Sequence, residues 1–230
     1  MDGANGFDGR AACWDAMAQD YDRHRVADPV YCACIRQAVA DLHPAGTVLD
    51  CGCGTGLATP YLLGAKAVHA VDFSERMLQN VRRKFSMKRV KTVRADVCAL
   101  PYPDNMFDCV LAANVLNELR PAEQPHAAAE IMRTLKPGGR YAVSVHHYSV
   151  AKRRAGWRKQ GRPGKSGSDY IYRYTRDELA ALFPSAKIRA VGFYGLRGGL
   201  QGQLLATRVA GPLLARVGHG HMICAYGVAA

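Results

Sequence analysis

Between Val48 and Gly56 the chain reads VLDCGCGTG: an aspartate, Asp50, then glycine at every second position, Gly52, Gly54 and Gly56. Glycine costs backbone entropy and is kept where φ must be positive or where something must approach the backbone closely. A short apolar run, Val48-Leu49, precedes it, and Leu57 to Leu63 after it is predicted as a helix. A strand, a glycine turn and a helix N-terminus together make a cradle of the kind that receives nucleotides. Polar residues recur at the ends of later apolar runs: Asp72, Asp96, Asn114 and the pair His146-His147. A histidine, with an ordinary pKa of about 6.5, can accept a proton at neutral pH.

The elements that would carry these residues alternate. Strands are predicted over Thr47–Asp50, Ala67–Ser74, Val90–Val97, Phe107–Asn114 and Arg140–Tyr148. Helices fall between them; Ser74 caps one running to about Phe85, and another has His126 to Leu135 as its later part. Short strands alternating with helices predict a parallel sheet covered on both faces, with ligands beyond the carboxyl ends of the strands. Upstream, helices are expected around Cys13–Tyr21 and Pro29–Asp41, broken by His43-Pro-Ala-Gly46, with residues 1 to 9 loosely attached. Downstream, Tyr148 to Asp169 lacks apolar periodicity and carries Lys152, Arg153, Arg154, Arg158, Lys159, Arg162 and Lys165, so it reads as a basic loop. Thr175-Arg-Asp-Glu178 is a capping box opening a helix to Phe183. Ala186–Gly195 and His221–Ala229 are expected strands, with an apolar helix around Leu204–Val217 between them.

At 230 residues and 49% hydrophobic content the chain can bury one sizeable core. We therefore expect one domain in four parts: a helical cover over the cofactor site (1–46), the ligand-binding core (47–148), a basic loop or lid (149–173) and a completion of the same sheet (174–230). No run of about 18 apolar residues exists, so no transmembrane helix is expected. The start, MDGAN, has neither a basic region nor an apolar core of a secretory signal, and a cytoplasmic protein is expected. Eight cysteines include two CxC pairs, Cys32/Cys34 and Cys51/Cys53, without the CxxC partners of a zinc site; reduced thiols and no metal are expected. The net charge of +12 fits a nucleic-acid partner, an anionic substrate or a simple solubility bias.

Two cofactor classes use a glycine-rich first turn with an acid about 20 residues later. The dinucleotide fingerprint G-x-G-x-x-G fails, because its third glycine would fall at Leu57 or Thr59. The run instead resembles the first motif, D/E-x-G-x-G-x-G, of the class I S-adenosylmethionine (SAM)-dependent methyltransferases. VDFSERML (Val71–Leu78) is similar to that family's acidic second strand end, and RADVCALPYPDNMFDCV to its third and fourth motifs. LKPGGR (Leu135–Arg140) is similar to its turn before the fifth strand, so the resemblance covers Val48 to Tyr148 in the family order. It implies a Rossmann-like, doubly wound, mostly parallel seven-stranded α/β sheet with an antiparallel last strand and helices on both faces.

The resemblance also implies roles. SAM would be the cofactor and S-adenosylhomocysteine the product. Gly52, Gly54 and Gly56 would let the backbone approach the methionine part, and Asp50 would hold the turn and the ammonium. Asp72 would accept hydrogen bonds from both ribose hydroxyls. Phe73 and Met77 would pack on adenine, although Met77 at helical spacing equally suits plain core. Asp96 would accept from the adenine amino group, the Val97 amide would donate to the ring, and the backbone near Asn114 would meet the methionyl portion. Tyr21 and Arg25 would cover the cofactor, Arg25 pairing its carboxylate, or simply belong to a solvated helix end. His146 and His147 are candidate bases, or residues merely lining the rim; alternation along a strand lets only one of them face a pocket.

Three functional classes remain open. One is a methyltransferase acting on O, N or C of a small molecule, with the basic loop attracting a carboxylate or phosphate on it. The second is a tRNA or other RNA methyltransferase: cations interleaved with Trp157, Tyr170, Tyr172 and Tyr174 suit phosphates and splayed bases. DYIYRYTRDEL with AKIRAVGFYG is faintly similar to tRNA wobble-uridine carboxymethyl methyltransferases. The third is a non-catalytic SAM-fold binding protein, which the intact motifs disfavour. No membrane partner is expected, and the oligomeric state is not legible.

Overall fold

The computed structural model describes residues 3–161, 170–192, 203–207 and 220–230. Seven strands form one sheet: β1 (Thr47–Cys51), β2 (Ala67–Asp72), β3 (Val90–Arg94), β4 (Phe107–Ala113), β5 (Leu135–His146), β8 (Lys187–Val191) and β9 (Met222–Val228). Their order is β3-β2-β1-β4-β5-β9-β8. β1 to β5 run parallel, and β9 lies antiparallel between β5 and β8. β6 (Gln160–Gly161) and β7 (Ile171–Tyr172) form a separate two-stranded ribbon. This is the doubly wound sheet expected, with the last strand antiparallel.

Helices cover both faces. α3 (Pro29–Leu42) and α4 (Glu75–Lys84) bury Ile35, Leu42, Leu78 and Val81 with Val48, Val68 and Ala70 of the sheet. On the other face, α5 (Gln124–Thr134) and α7 (Arg176–Leu182) bury Ile131 and Leu179 with Leu49, Val71 and Val110. Alternate residues of one strand therefore enter opposite cores, which is why the strands read as continuous apolar runs. The chain reverses direction across the sheet between β1 and β4, and their carboxyl tips flank the crevice where such sheets bind ligands.

Helix starts follow local chemistry. The Asp28 carboxylate accepts from the Val30 and Tyr31 amides ahead of α3, with Pro29 as the first helical residue. Ser74 Oγ accepts from the Met77 amide at α4, and Thr175 with Glu178 closes the capping box of α7. The helix expected over Leu57–Leu63 is instead a single 3-10 turn, Thr59–Leu62. The glycine turn consumes the residues before it, so Pro60 falls in the first turn, and Gly64 follows two residues after the element's end, at a position unfavourable for continuing a helix. The chain start also differs: α1 runs Gly3–Met17, followed by α2, Tyr21–Val26. Tertiary docking of α1, described below, supplies what its glycine-rich sequence lacks. α6 (Val150–Arg154) lies within the expected basic loop. Arg162, Lys165, the end of the predicted strand at 193–195 and most of the predicted helix at 204–217 fall outside the described residues. No helix among the described residues is long and apolar enough to cross a membrane.

Candidate functional site

The glycine turn is built from left-handed backbone: φ is +68° at Gly52, +53° at Gly54 and +83° at Gly56. It is tied to the tip of β2, where the Cys53 amide donates to the Val71 carbonyl (2.8 Å) and the Gly54 amide to Asp72 Oδ2 (2.9 Å). Asp72 Oδ1 accepts from the Ser74 amide at 2.9 Å, so one carboxylate organises both the turn and the start of α4. Asp50, 1% exposed, accepts from Thr59 Oγ1 at 2.9 Å. Burial pushes the Asp50 carboxyl up to about 7, against the Thr59 hydrogen bond and reinforced by the nearby charge of Asp72. Burial likewise raises Asp72 to about 6, against the amides that donate to it. Neither carboxylate has a cationic partner among the described residues, and both are poised for a ligand that brings positive charge.

They open onto a cavity of about 930 Å3, part of it continuous with solvent. Asp50, Gly52, Gly54 and Asp72 form one end of its wall. Phe73, Met77, Asp96 and Val97 form another; Met77 is 1% exposed and thus both core and wall. Asp96 Oδ1 accepts from the Cys98 amide at 2.9 Å. Asn114 lies on the wall in left-handed conformation, φ +62°, and its buried Nδ2 has no hydrogen-bond partner. Tyr21 also reaches the wall.

Arg25, Gly56, His146 and His147 do not. The Arg25 guanidinium lies 5.2 Å from the Tyr21 ring and 5.0 Å from the Tyr31 ring, behind the wall. Gly56 is turned toward Phe85, Val81 and Thr59, where its missing side chain permits close packing. His147 is 2% exposed with Nδ1 3.2 Å from the Gly220 carbonyl, one residue past the end of β5. His146 packs edge-on against His221, ring centroids 5.4 Å apart.

Arg10, Trp14, Tyr31, Thr55 and Glu118 line the cavity without having been legible. The first three come from the helices before β1, and only the Asp28-Pro29 start of α3, which puts Tyr31 in its first turn, offered a signal. These helices are fastened across the crevice. Arg10 pairs with Glu123 at 2.9 Å, and Asp15 accepts from Ser74 Oγ and from the Arg76 amide (3.1 Å). Asp22 accepts from Thr55 Oγ1 and pairs with Lys84, fixing α2 to the glycine turn. The Tyr21 and Tyr31 hydroxyls meet at 3.1 Å, and burial raises both phenols, leaving them protonated.

A family model described as a methyltransferase domain matches residues 48–139. A phosphatidylethanolamine N-methyltransferase of Cereibacter sphaeroides is 31% identical over 147 residues, 60% of this chain and 71% of that protein. The chain belongs to the class I SAM-dependent methyltransferases. A malonyl-[acyl-carrier protein] O-methyltransferase of Halorhodospira halophila is 40% identical over 135 residues, 55% of this chain and 44% of that protein. The chain spans about half the length of the first curated relatives it matches. The 1,6-didemethyltoxoflavin-N1-methyltransferase of Burkholderia thailandensis, solved with S-adenosylhomocysteine, shares the fold: TM-score 0.62 at 21% identity, covering 99% of this chain and 91% of that one.

The methyltransferase site fits its donor on three independent observations. A Cβ on Gly54 would meet nothing within 4 Å and would stand in the cavity, so the cradle is kept bare. Asp50 and Asp72 offer negative charge to a cationic ligand, and Asn114 Nδ2 awaits an acceptor.

Proposed function

We propose that this methyltransferase modifies a small molecule inside a cavity closed by its own N-terminal helices. The observation that carries this reading is the fastening of α1 and α2 across the crevice by Arg10–Glu123, Asp15–Ser74 and Asp22–Thr55. A cover held at three points admits a small acceptor and excludes water, and it leaves little room for a folded macromolecule. The malonyl-[acyl-carrier protein] and phosphatidylethanolamine enzymes among its relatives support an acceptor other than nucleic acid.

Bound SAM supplies an electrophilic methyl on a sulfonium. In this proposal Asp72 accepts from the ribose hydroxyls, Asp50 faces the ammonium, and Asp96 with the Val97 amide reads adenine between Phe73 and Met77. Asn114 Nδ2 donates to the methionyl carboxylate, and Arg25 adds positive charge from behind Tyr21 and Tyr31. Holding donor and acceptor in line supplies most of the catalysis that such a displacement requires. The segments 1–46 and 149–173 act as cover and lid.

The RNA reading draws less support. Lys152 is buried, Lys159 pairs with Glu178, and Trp157 is flanked by Lys152 and Arg173, so several residues suited to phosphates and bases are engaged internally. The test is methyl transfer from tritiated SAM into a deproteinised metabolite extract or into total tRNA. Label in the small-molecule fraction is expected; label in tRNA overturns the proposal.

A further inference from the structure

Beyond the donor cavity lie two cations, Lys152 and Arg173, with no counter-charge among the described residues. Lys152 on α6 is 7% exposed. Its ammonium donates to the carbonyls of His147 (2.9 Å) and His221 (3.0 Å) and lies 5.4 Å from the centre of the Trp157 ring. The Arg173 guanidinium sits 5.1 Å from the same ring and gives one N–H to the Arg158 carbonyl at 2.9 Å. The Tyr174 amide donates to the His146 carbonyl at 2.8 Å, which brings the backbone beside Arg173 against the end of β5. Among the described residues no carboxylate forms an ion pair with Lys152 or Arg173.

The group borders the donor site. Side chains alternate along β5, so Ser144 and His146 share one face. Ser144 Oγ lies 3.4 Å from Asn114 Oδ1, and Asn114 is on the cavity wall. One step further along that face, His146 meets His221, above the carbonyls that Lys152 holds. Burial and the charges of His221, Lys152, Arg173 and Arg25 all press His146 toward its neutral form, and no acid opposes them. Burial, and after it the charge of Arg173, pulls the Lys152 ammonium down to about 7. Carbonyls satisfy two of the three lysine donors, but they neutralise nothing, and a partly buried cation without an anion is costly unless a ligand supplies one.

We infer that the acceptor carries an oxyanion, a carboxylate or a phosphate, received by Arg173, Lys152 and His146 at the carboxyl end of β5. The inference rests on the small-molecule reading above and specifies its substrate class. Guanidinium and ammonium donors give an oxyanion charge-assisted hydrogen bonds, and the neutral imidazole adds one more donor. The anchor would hold one end of the acceptor while the rest extends past Ser144 and Asn114 toward the donor.

The experiment is a titration of inorganic phosphate, and separately of acetate, into the full chain saturated with S-adenosylhomocysteine, followed by the ring signals of His146. Prior saturation occupies the groups that meet the donor's own carboxylate. A saturable shift below about 50 mM is expected for at least one probe. Arg173→Gln and Lys152→Met should each weaken it by about tenfold, with S-adenosylhomocysteine affinity unchanged. Tighter phosphate assigns a phosphorylated acceptor, and tighter acetate a carboxylated one. If neither probe saturates, or if Arg173→Gln binds as well as the parent protein, the inference is overturned while the donor site stands. Should Lys152→Met fail to fold, Arg173→Gln alone decides. Failure of S-adenosylhomocysteine itself to bind would count against the parent reading instead.

Discussion

Asp72 holds Gly54: the carboxylate at the tip of β2 accepts the amide of the middle glycine of the turn after β1, 2.9 Å away. The same side chain that is proposed to hold the ribose thus fixes the backbone under the methionine part of the donor. Replacing it should disturb both. In Asp72→Asn we expect S-adenosylhomocysteine affinity to fall about a hundredfold, the scale of one or two charge-assisted hydrogen bonds. Calorimetry giving an unchanged affinity in a protein that melts normally would contradict the ribose assignment.

The glycines separate fold from function. A Cβ on Gly52 would lie 2.2 Å from Val115 Cγ2 at φ +68°, so Gly52→Ala should destabilise the protein by about 3 kcal/mol in urea melts. Gly54→Ala meets no atom within 4 Å, and its left-handed φ costs about 1–2 kcal/mol. That variant should fold and yet bind donor at least about tenfold more weakly, because its methyl group occupies the cradle. Equal binding by both alanine variants would argue against the cradle.

Donor binding should depend on pH with a defined sign. Asp50, raised to about 7, and Asp72, raised to about 6, carry protons in part of the free protein at neutral pH. A cationic donor favours the carboxylates, so binding releases protons. Affinity should therefore weaken as pH falls from about 7.5 to about 5.5, approaching tenfold per unit for each linked proton. Calorimetry in buffers of different ionisation enthalpy would report the released protons directly.

Asp15 and Arg10 should act on the lifetime of the complex. Losing the Asp15 contacts to Ser74 and Arg76, or the Arg10–Glu123 pair, loosens the cover without touching the glycine turn. We expect Asp15→Ala to raise the dissociation rate of S-adenosylhomocysteine about fivefold, with little change in association, in stopped-flow measurements.

His146 should show no titration in the rate. Burial and neighbouring cations hold its imidazole well below the usual range, which favours its neutral form. His146→Gln should lower kcat/KM without moving the acid limb of its pH profile. Disappearance of an inflection near 6.5 in the variant would restore a base role.

The sheet was legible because each strand is an apolar run closed by a polar tip, and the chain order of Asp50, Asp72, Asp96 and Asn114 follows from that regularity. The donor half of the cavity therefore came out of local pattern. The cover did not. Arg10 and Trp14 sit in a helix whose sequence has no strong apolar face, and Glu123, the partner of Arg10, lies 113 positions along the chain. Of the two adjacent histidines neither lies on the cavity wall: His146 ends β5 against His221, and His147, one residue past the strand, is buried against the Gly220 carbonyl. Pro60 was visible, yet its effect depended on how many residues the glycine turn would consume.

The contacts that fasten α1 join residues 59, 61 and 113 positions apart. Such long closures form late, after the local and neighbouring-strand pairings that prepare their landing places. α1 is made before its docking partners and can settle only once β2, α4 and the start of α5 are in place. A chain interrupted before Glu123 would accordingly lack the roof over its donor, and retention of the ligand would report that the first half of the sheet has been assembled.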